Sequence, residues 1–203
     1  MENKIDVNEV RGHYLQMLTG TGVDEQLVVW LDNNGFFQAP ATTKYHHSFP
    51  GGLALHSIEV ANILTTIAKT FGVNIEEKVL IRLGLLHDIS KVFYYELTSI
   101  NKKVYSPDGT KWDELGNFDW VSEVGYKVKD VADRDNVGNF GFTSASIILD
   151  NKTNITKEEI IALNNYQFIV QPTEAVETLS LVSNHKLTLL LHMADMASSY
   201  LIH

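Results

Sequence analysis

The sequence predicts an all-α bundle that carries a small β-hairpin-containing insertion. Apolar residues recur with a helical period through most of the chain. The segment 97–142 breaks that period and is crowded with aromatic, Gly and Asp residues. The last periodic stretch, 185–201, is apolar on nearly every side, as a buried helix is.

A first helix spans 5–18 and carries Ile5, Val10, Tyr14, Leu15 and Leu18. A second, about 24–33, presents Leu27, Val28, Trp30 and Leu31 and stops at Asn34-Gly35. Pro40, Pro50, Gly51 and Gly52 punctuate the loop FFQAPATTKYHHSFPGG that follows. The helical period then returns from Leu53 to Phe71 and ends at Gly72. Asn74 with Glu77, and Thr156 with Glu159, have capping-box spacing and open further helices. Between them, Ser-Pro-Asp-Gly at 106–109 is a turn signal, read as flanked by a strand pair, with EVGYKVKD as a third strand.

A chain of 203 residues, 44% of them hydrophobic, can bury the core of one domain spanning 1–203, with 97–142 inserted in it. The absence of cysteine excludes disulfides, thiolate nucleophiles and Cys-ligated zinc, and fits a reducing compartment. No signal-peptide pattern opens the chain, and no apolar run approaches the roughly 20 residues of a membrane span. The expectation is a cytoplasmic protein without a membrane partner. A net charge of −9 weighs against tracking nucleic acid over a broad surface. A small anionic substrate can still bind beside a local cation.

The chemistry concentrates at His87-Asp88, which ends the apolar run Val79, Leu80, Ile81, Leu83, Leu85 and Leu86. A carboxylate in such surroundings needs compensation, and a metal ion supplies it. On the last helix, Thr188, His192, Asp195 and Ser199 are spaced four, three and four apart and share one stripe. His56 is the inward candidate of the helix that begins at Leu53. His56, His87, Asp88 and Asp195 thus form a nitrogen–oxygen set from three apolar helices, suited to Mn, Fe, Co, Ni, Zn or Mg.

HHSFPGGLALHSIEVA, LLHDISK and LLLHMADMAS together resemble the HD-domain metal-dependent phosphohydrolase superfamily in its bacterial and phage forms. The likeness covers about residues 40–96 and, more loosely, 143–201. It implies an all-α HD-domain helical bundle and hydrolysis of phosphate esters, often of nucleotides, by metal-activated water. Carried over residue by residue, the ligands are His56, His87, Asp88 and Asp195. The short HHxxPGGLxxH form, with Lys91 three after Asp88, is also similar to a class of exoribonucleases. Many binuclear members place further histidines between the HD pair and the distal Asp, but no His lies between His87 and His185 here. NVGNFGFTSAS and ALNNYQF supply Asn, Phe and Gln instead, so one divalent metal ion is expected.

Lys91 is expected to point at a bound phosphate. His46 and His47 lie in the loop before His56, positioned to bind phosphate, with His47 also a general acid. The expected catalytic set is therefore Asp88, Lys91, Asp195 and His47, and the substrate-binding set His46, His47, Lys91 and Tyr95. Tyr94 is a second residue on which a base could stack. Trp112 and Trp120 are expected to pack the insertion against the core. His192 is read as orienting a ligand, Glu59 as solvated, and Glu96 as a weaker candidate acid.

The function expected is a metal-dependent phosphohydrolase acting on a nucleotide or similar small phosphate ester. The alternatives are a phosphodiesterase or 3′-5′ exoribonuclease-like HD hydrolase, and a non-catalytic metal-containing nucleotide-binding regulatory module. The expected partner is a small phosphorylated substrate rather than nucleic acid, and homo-oligomerisation stays open.

Overall fold

The computed structural model describes residues 6–135, 138–167, 180 and 183–202. Helices α1 (Val7–Leu18) and α2 (Glu25–Asn33) begin at Asp6 and Asp24, whose side chains accept from Asn8 N and Gln26 N. A 3₁₀ turn, Phe36–Gln38, leads through the Gly/Pro loop to α3 (Gly52–Thr70), the central helix. α3 buries Leu53, Ala54, Ile58, Val60, Ala61, Leu64 and Ala68 and packs against α4 (Glu77–Leu86) and the last helix. Gly84 of α4 makes the first of these contacts close: a Cβ there would lie 2.5 Å from Ala61 Cα. Tyr14 is fully buried against Phe36 and Phe37 and donates to Leu85 O at 2.7 Å, tying α1 to the end of α4.

The chain leaves α4 through a 3₁₀ segment, Ile89–Phe93, into three strands, β1 (Tyr95–Tyr105), β2 (Lys111–Asp113) and β3 (Gly116–Val128). It returns to the bundle as α5 (Phe140–Asp150), α6 (Lys157–Asn165) and α7 (Lys186–Tyr200). The Thr156–Glu159 capping box forms. Glu159 also receives two 2.8 Å bonds from Arg82, whose Nη1 donates to Thr21 O, so a buried charge pair joins α4 to α6.

Four local expectations are corrected. α4 starts after Glu76, which makes no side-chain cap, so Asn74 and Glu77 form no box. β1 and β2 do not pair across the Ser106–Gly109 turn. The sheet order is β1-β3-β2, because β3 takes the whole length of β1, from Tyr95↔Val128 to Tyr105↔Phe118. Only three pairs are left for β2 across a two-residue connection, Glu114-Leu115, closed by Gly116 at φ 123°. EVGYKVKD is the second half of β3, not a separate strand. α7 is not buried all round either. It rests on α3 and α6 with one side, and Leu189, Met193, Met196 and Tyr200 are exposed on the other.

Candidate metal centre

The close contact of α3 with α4 brings His56 toward the end of α4, where His87 and Asp88 begin the chain's exit. α7 lies along α3 and adds Asp195. His56 Nε2 stands 3.2 Å from Asp195 Oδ1 and 3.7 Å from Asp88 Oδ2. His87 Nε2 stands 3.2 Å from Asp88 Oδ2 and 3.9 Å from Asp195 Oδ1. His56, His87 and Asp88 are fully buried.

Both imidazoles are held from behind. His87 Nδ1 donates to Gly84 O at 2.8 Å, and His56 Nδ1 bonds Ser198 Oγ at 3.0 Å. The opposite nitrogens are buried without a hydrogen bond. Leaving two buried imidazole nitrogens unsatisfied beside a buried carboxylate costs several kcal/mol. Ligand atoms bound to one ion at about 2.1 Å lie no more than about 4.2 Å apart, a limit these four His–Asp separations respect. The residues therefore fit a divalent cation held by His56, His87, Asp88 and Asp195.

The electrostatics agree with that fit. Burial favours a neutral Asp88, but Lys91 and His87 hold its carboxyl well below the usual range. Burial acts likewise on Asp195, and its contact with His56 lowers it. Burial lowers the His56 pKa, whereas at His87 the nearby carboxylates outweigh burial and raise it. The buried Lys91 ammonium pairs with Asp88 Oδ2 at 2.6 Å, and Asp88 and Asp195 raise its pKa against burial. Asp88 Oδ1 accepts from Tyr166 Oη at 2.5 Å, while Tyr166 stands edge-on to His87.

His46 is half-buried, 3.3 Å by Nε2 from Ser199 Oγ, with its ring 5.1 Å from that of His56. Burial first, then the His56 and Lys91 charges, push its pKa down to about 4, so it stays neutral. His47 lies deeper, in a left-handed backbone conformation at φ 51°, and its Nε2 donates to Glu59 Oε1 at 3.1 Å. Tyr95 is half-buried at the root of β1, close enough to Lys91 and Asp88 to feel both charges. Tyr94 stacks on Phe140 at 3.9 Å with the Arg134 guanidinium 4.9 Å from its ring, so it packs the loop before α5.

Several sequence expectations change. His192 Nδ1 donates to Tyr166 O, one step behind Asp88. Glu59 is not simply solvated but bonds Ser198 and His47. Glu96 pairs with Lys127 on the exposed sheet, turned to solvent rather than to the reacting groups. Trp112, 74% exposed, and Trp120, 48% exposed, do not anchor the sheet to the core. Tyr166 and Ser198 were missed. Ser198 carries a sequence signal, because it lies three after Asp195 on the same helix face.

Two imidazoles and two carboxylates from three helices define a candidate divalent-metal centre inside a helical domain. Residues 53–137 match the model of the HD domain family, a family of metal-dependent phosphohydrolases. Asp195 lies beyond the matched stretch and joins the set by geometry. The chain is 44% identical over 55 residues to ribonuclease Y of Mesoplasma florum, covering 27% of this chain and 10% of that protein. It is 37% identical over 62 residues to dihydroneopterin 2′,3′-cyclic phosphate phosphodiesterase of Methanocaldococcus jannaschii, covering 29% and 25%. It is 30% identical over 96 residues to ribonuclease Y of Mycoplasma mycoides, covering 47% and 22%. The chain thus spans a quarter or less of the length of these curated relatives. No solved structure matches it. Among the described residues, no helix is long and apolar enough to cross a membrane.

Proposed function

We propose that this protein is a metal-dependent phosphohydrolase that cleaves a phosphate ester of a nucleotide or similar small molecule. The observation that carries this reading is the convergence of His56 Nε2 and His87 Nε2, buried without hydrogen bonds, on the carboxylates of Asp88 and Asp195. A divalent ion bound there supplies Lewis acidity and a lowered pKa for water. The chain's own residues do the rest. Tyr166 fixes the orientation of Asp88. Lys91 adds positive charge at the edge of the cluster, where it offsets phosphate charge. Asp195 has the most solvent-exposed side chain of the four and is placed to accept a proton from the attacking water. His46, neutral and half-buried, can donate one N–H to a phosphate oxygen. Tyr95 lies near Lys91 and Asp88.

A second reading, a phosphodiesterase, is favoured by the printed activities of the relatives, a ribonuclease and a cyclic-phosphate phosphodiesterase. One assay separates the two. The protein is incubated with nucleoside mono-, di- and triphosphates, 2′,3′-cyclic nucleotides and a short oligoribonucleotide, each with Mn²⁺, Co²⁺, Ni²⁺, Zn²⁺ or Mg²⁺. Inorganic phosphate or pyrophosphate from nucleotides supports the first reading. Opening of the cyclic phosphate, or mononucleotides from the oligomer, supports the second. No turnover with any pair defeats both and leaves a binding module.

A further inference from the structure

Ser198 lies on α7 almost one turn past Asp195 and is fully buried. Its Oγ is 3.0 Å from His56 Nδ1 and 2.9 Å from Glu59 Oε2. A serine hydroxyl has one proton, and a carboxylate only accepts. Ser198 therefore donates to Glu59 and accepts from His56. That order puts the His56 proton on Nδ1 and leaves the lone pair on Nε2, the atom that faces Asp195 and Asp88. The other oxygen of Glu59 accepts from His47 Nε2. His47 is locked in turn: its carbonyl accepts from Ala41 N at 3.1 Å, and a Cβ at Gly52 would lie 2.0 Å from that carbonyl oxygen. One carboxylate thus fastens the Gly/Pro loop, α3 and α7 around the back of His56.

We propose that Glu59, acting through Ser198, is a positioning residue that presents the Nε2 lone pair of His56 to the metal centre. His47 serves the same relay from the loop side and meets no substrate. The inference rests on the metal centre proposed above and adds to it the chain that sets the tautomer. Groups that hold a ligating histidine in this way are typically worth 10–100-fold in metal affinity. The relay also commits His56 Nδ1 and His47 Nε2 to donation.

The test has two arms. Imidazole ¹⁵N–¹H spectra of the wild-type protein in chelator, with His56 assigned through His56→Gln, report which nitrogen carries the proton. The proton is expected on Nδ1. Mn²⁺ titration by calorimetry is then compared for wild type, Glu59→Gln, Ser198→Ala and the double variant. Each single variant is expected to lose 10–100-fold in affinity, and the double variant no more than the worse single, because the two residues form one chain. Wild type that binds Mn²⁺ but carries the His56 proton on Nε2 overturns this proposal alone. So do folded single variants that bind Mn²⁺ as wild type does. Wild type that binds no divalent ion overturns the metal centre itself. Should either variant fail to fold, the wild-type spectrum still decides the tautomer.

Discussion

His56 Nε2 and Asp195 Oδ1 face each other at 3.2 Å, and with the His56 proton held on Nδ1 both atoms are acceptors. Two acceptors at that separation repel unless a cation lies among them. The closeness of α3 and α7 is therefore bound up with the ion that the four ligand atoms would share. A protein built this way loses stability when the cation is taken away.

The first expected outcome is one tightly bound divalent ion per chain. Elemental analysis should find one equivalent in wild type and none in Asp88→Ala or Asp195→Ala. An ion present at 100 times its dissociation constant stabilises the fold by about 2.7 kcal/mol. For a chain of this size that raises the melting temperature by about 5–10 °C, an increase a chelator should abolish. Two equivalents in wild type, or one retained by Asp195→Ala, would contradict the four-ligand, single-ion centre.

Lys91→Ala should separate metal binding from turnover. Lys91 contacts Asp88 Oδ2 but lies outside the His/Asp ligand set, so the variant should keep its metal. Losing one charge contact to the reacting phosphate costs on the order of 2–4 kcal/mol in the transition state. The expected kcat/KM is about 30- to 1000-fold lower at unchanged metal content. Wild-type turnover would reduce Lys91 to a structural partner of Asp88.

How far the sequence reveals this site depends on which signals are local. His56, His87, Asp88 and Asp195 can be found because each stands out as a polar residue on an apolar helix. The helices themselves follow from period and caps, and Thr156–Glu159 forms as its spacing says. Tyr166 and Glu59 escape because their roles depend on pairings 78 and 139 residues away, to Asp88 and Ser198. Periodicity on one element cannot report such a pair. The sheet order escapes for a related reason: the proline-glycine turn marks where the chain bends, not which strand takes the longer ladder. At His47 the sequence shows only a histidine in a Gly/Pro loop. Its left-handed backbone and buried ring become visible only in three dimensions.

Gly84→Ala should damage the site from a distance. The new Cβ would meet Ala61 backbone atoms at 2.5 and 2.7 Å, too close for a side-chain rearrangement to relieve. α3 and α4 must then separate, and His56 moves relative to His87. Overpacking of this kind costs about 1–3 kcal/mol. Urea denaturation should show that loss, and Mn²⁺ titration a weaker ion affinity, although no ligand has changed. Unaltered affinity in a destabilised variant would show that the helix contact and the centre are energetically independent.

The sheet should influence substrate choice from its root and not from its tip. β1 starts at Tyr95, next to Lys91 and Asp88, and runs for 11 residues to Tyr105. At about 3.3 Å per residue, the Ser106–Gly109 turn lies roughly 33 Å along the strand from that root. Trimming Pro107–Gly109 should therefore leave metal content and relative rates across a nucleotide panel unchanged. Tyr95→Ala should instead alter those relative rates. A base stacked on this ring gains roughly 1–3 kcal/mol, so substrates that use it should lose about 5- to 150-fold in kcat/KM. A trimmed tip that changes nucleotide preference while Tyr95→Ala does not would move the specificity surface out along the sheet, to the exposed Trp112 and Trp120.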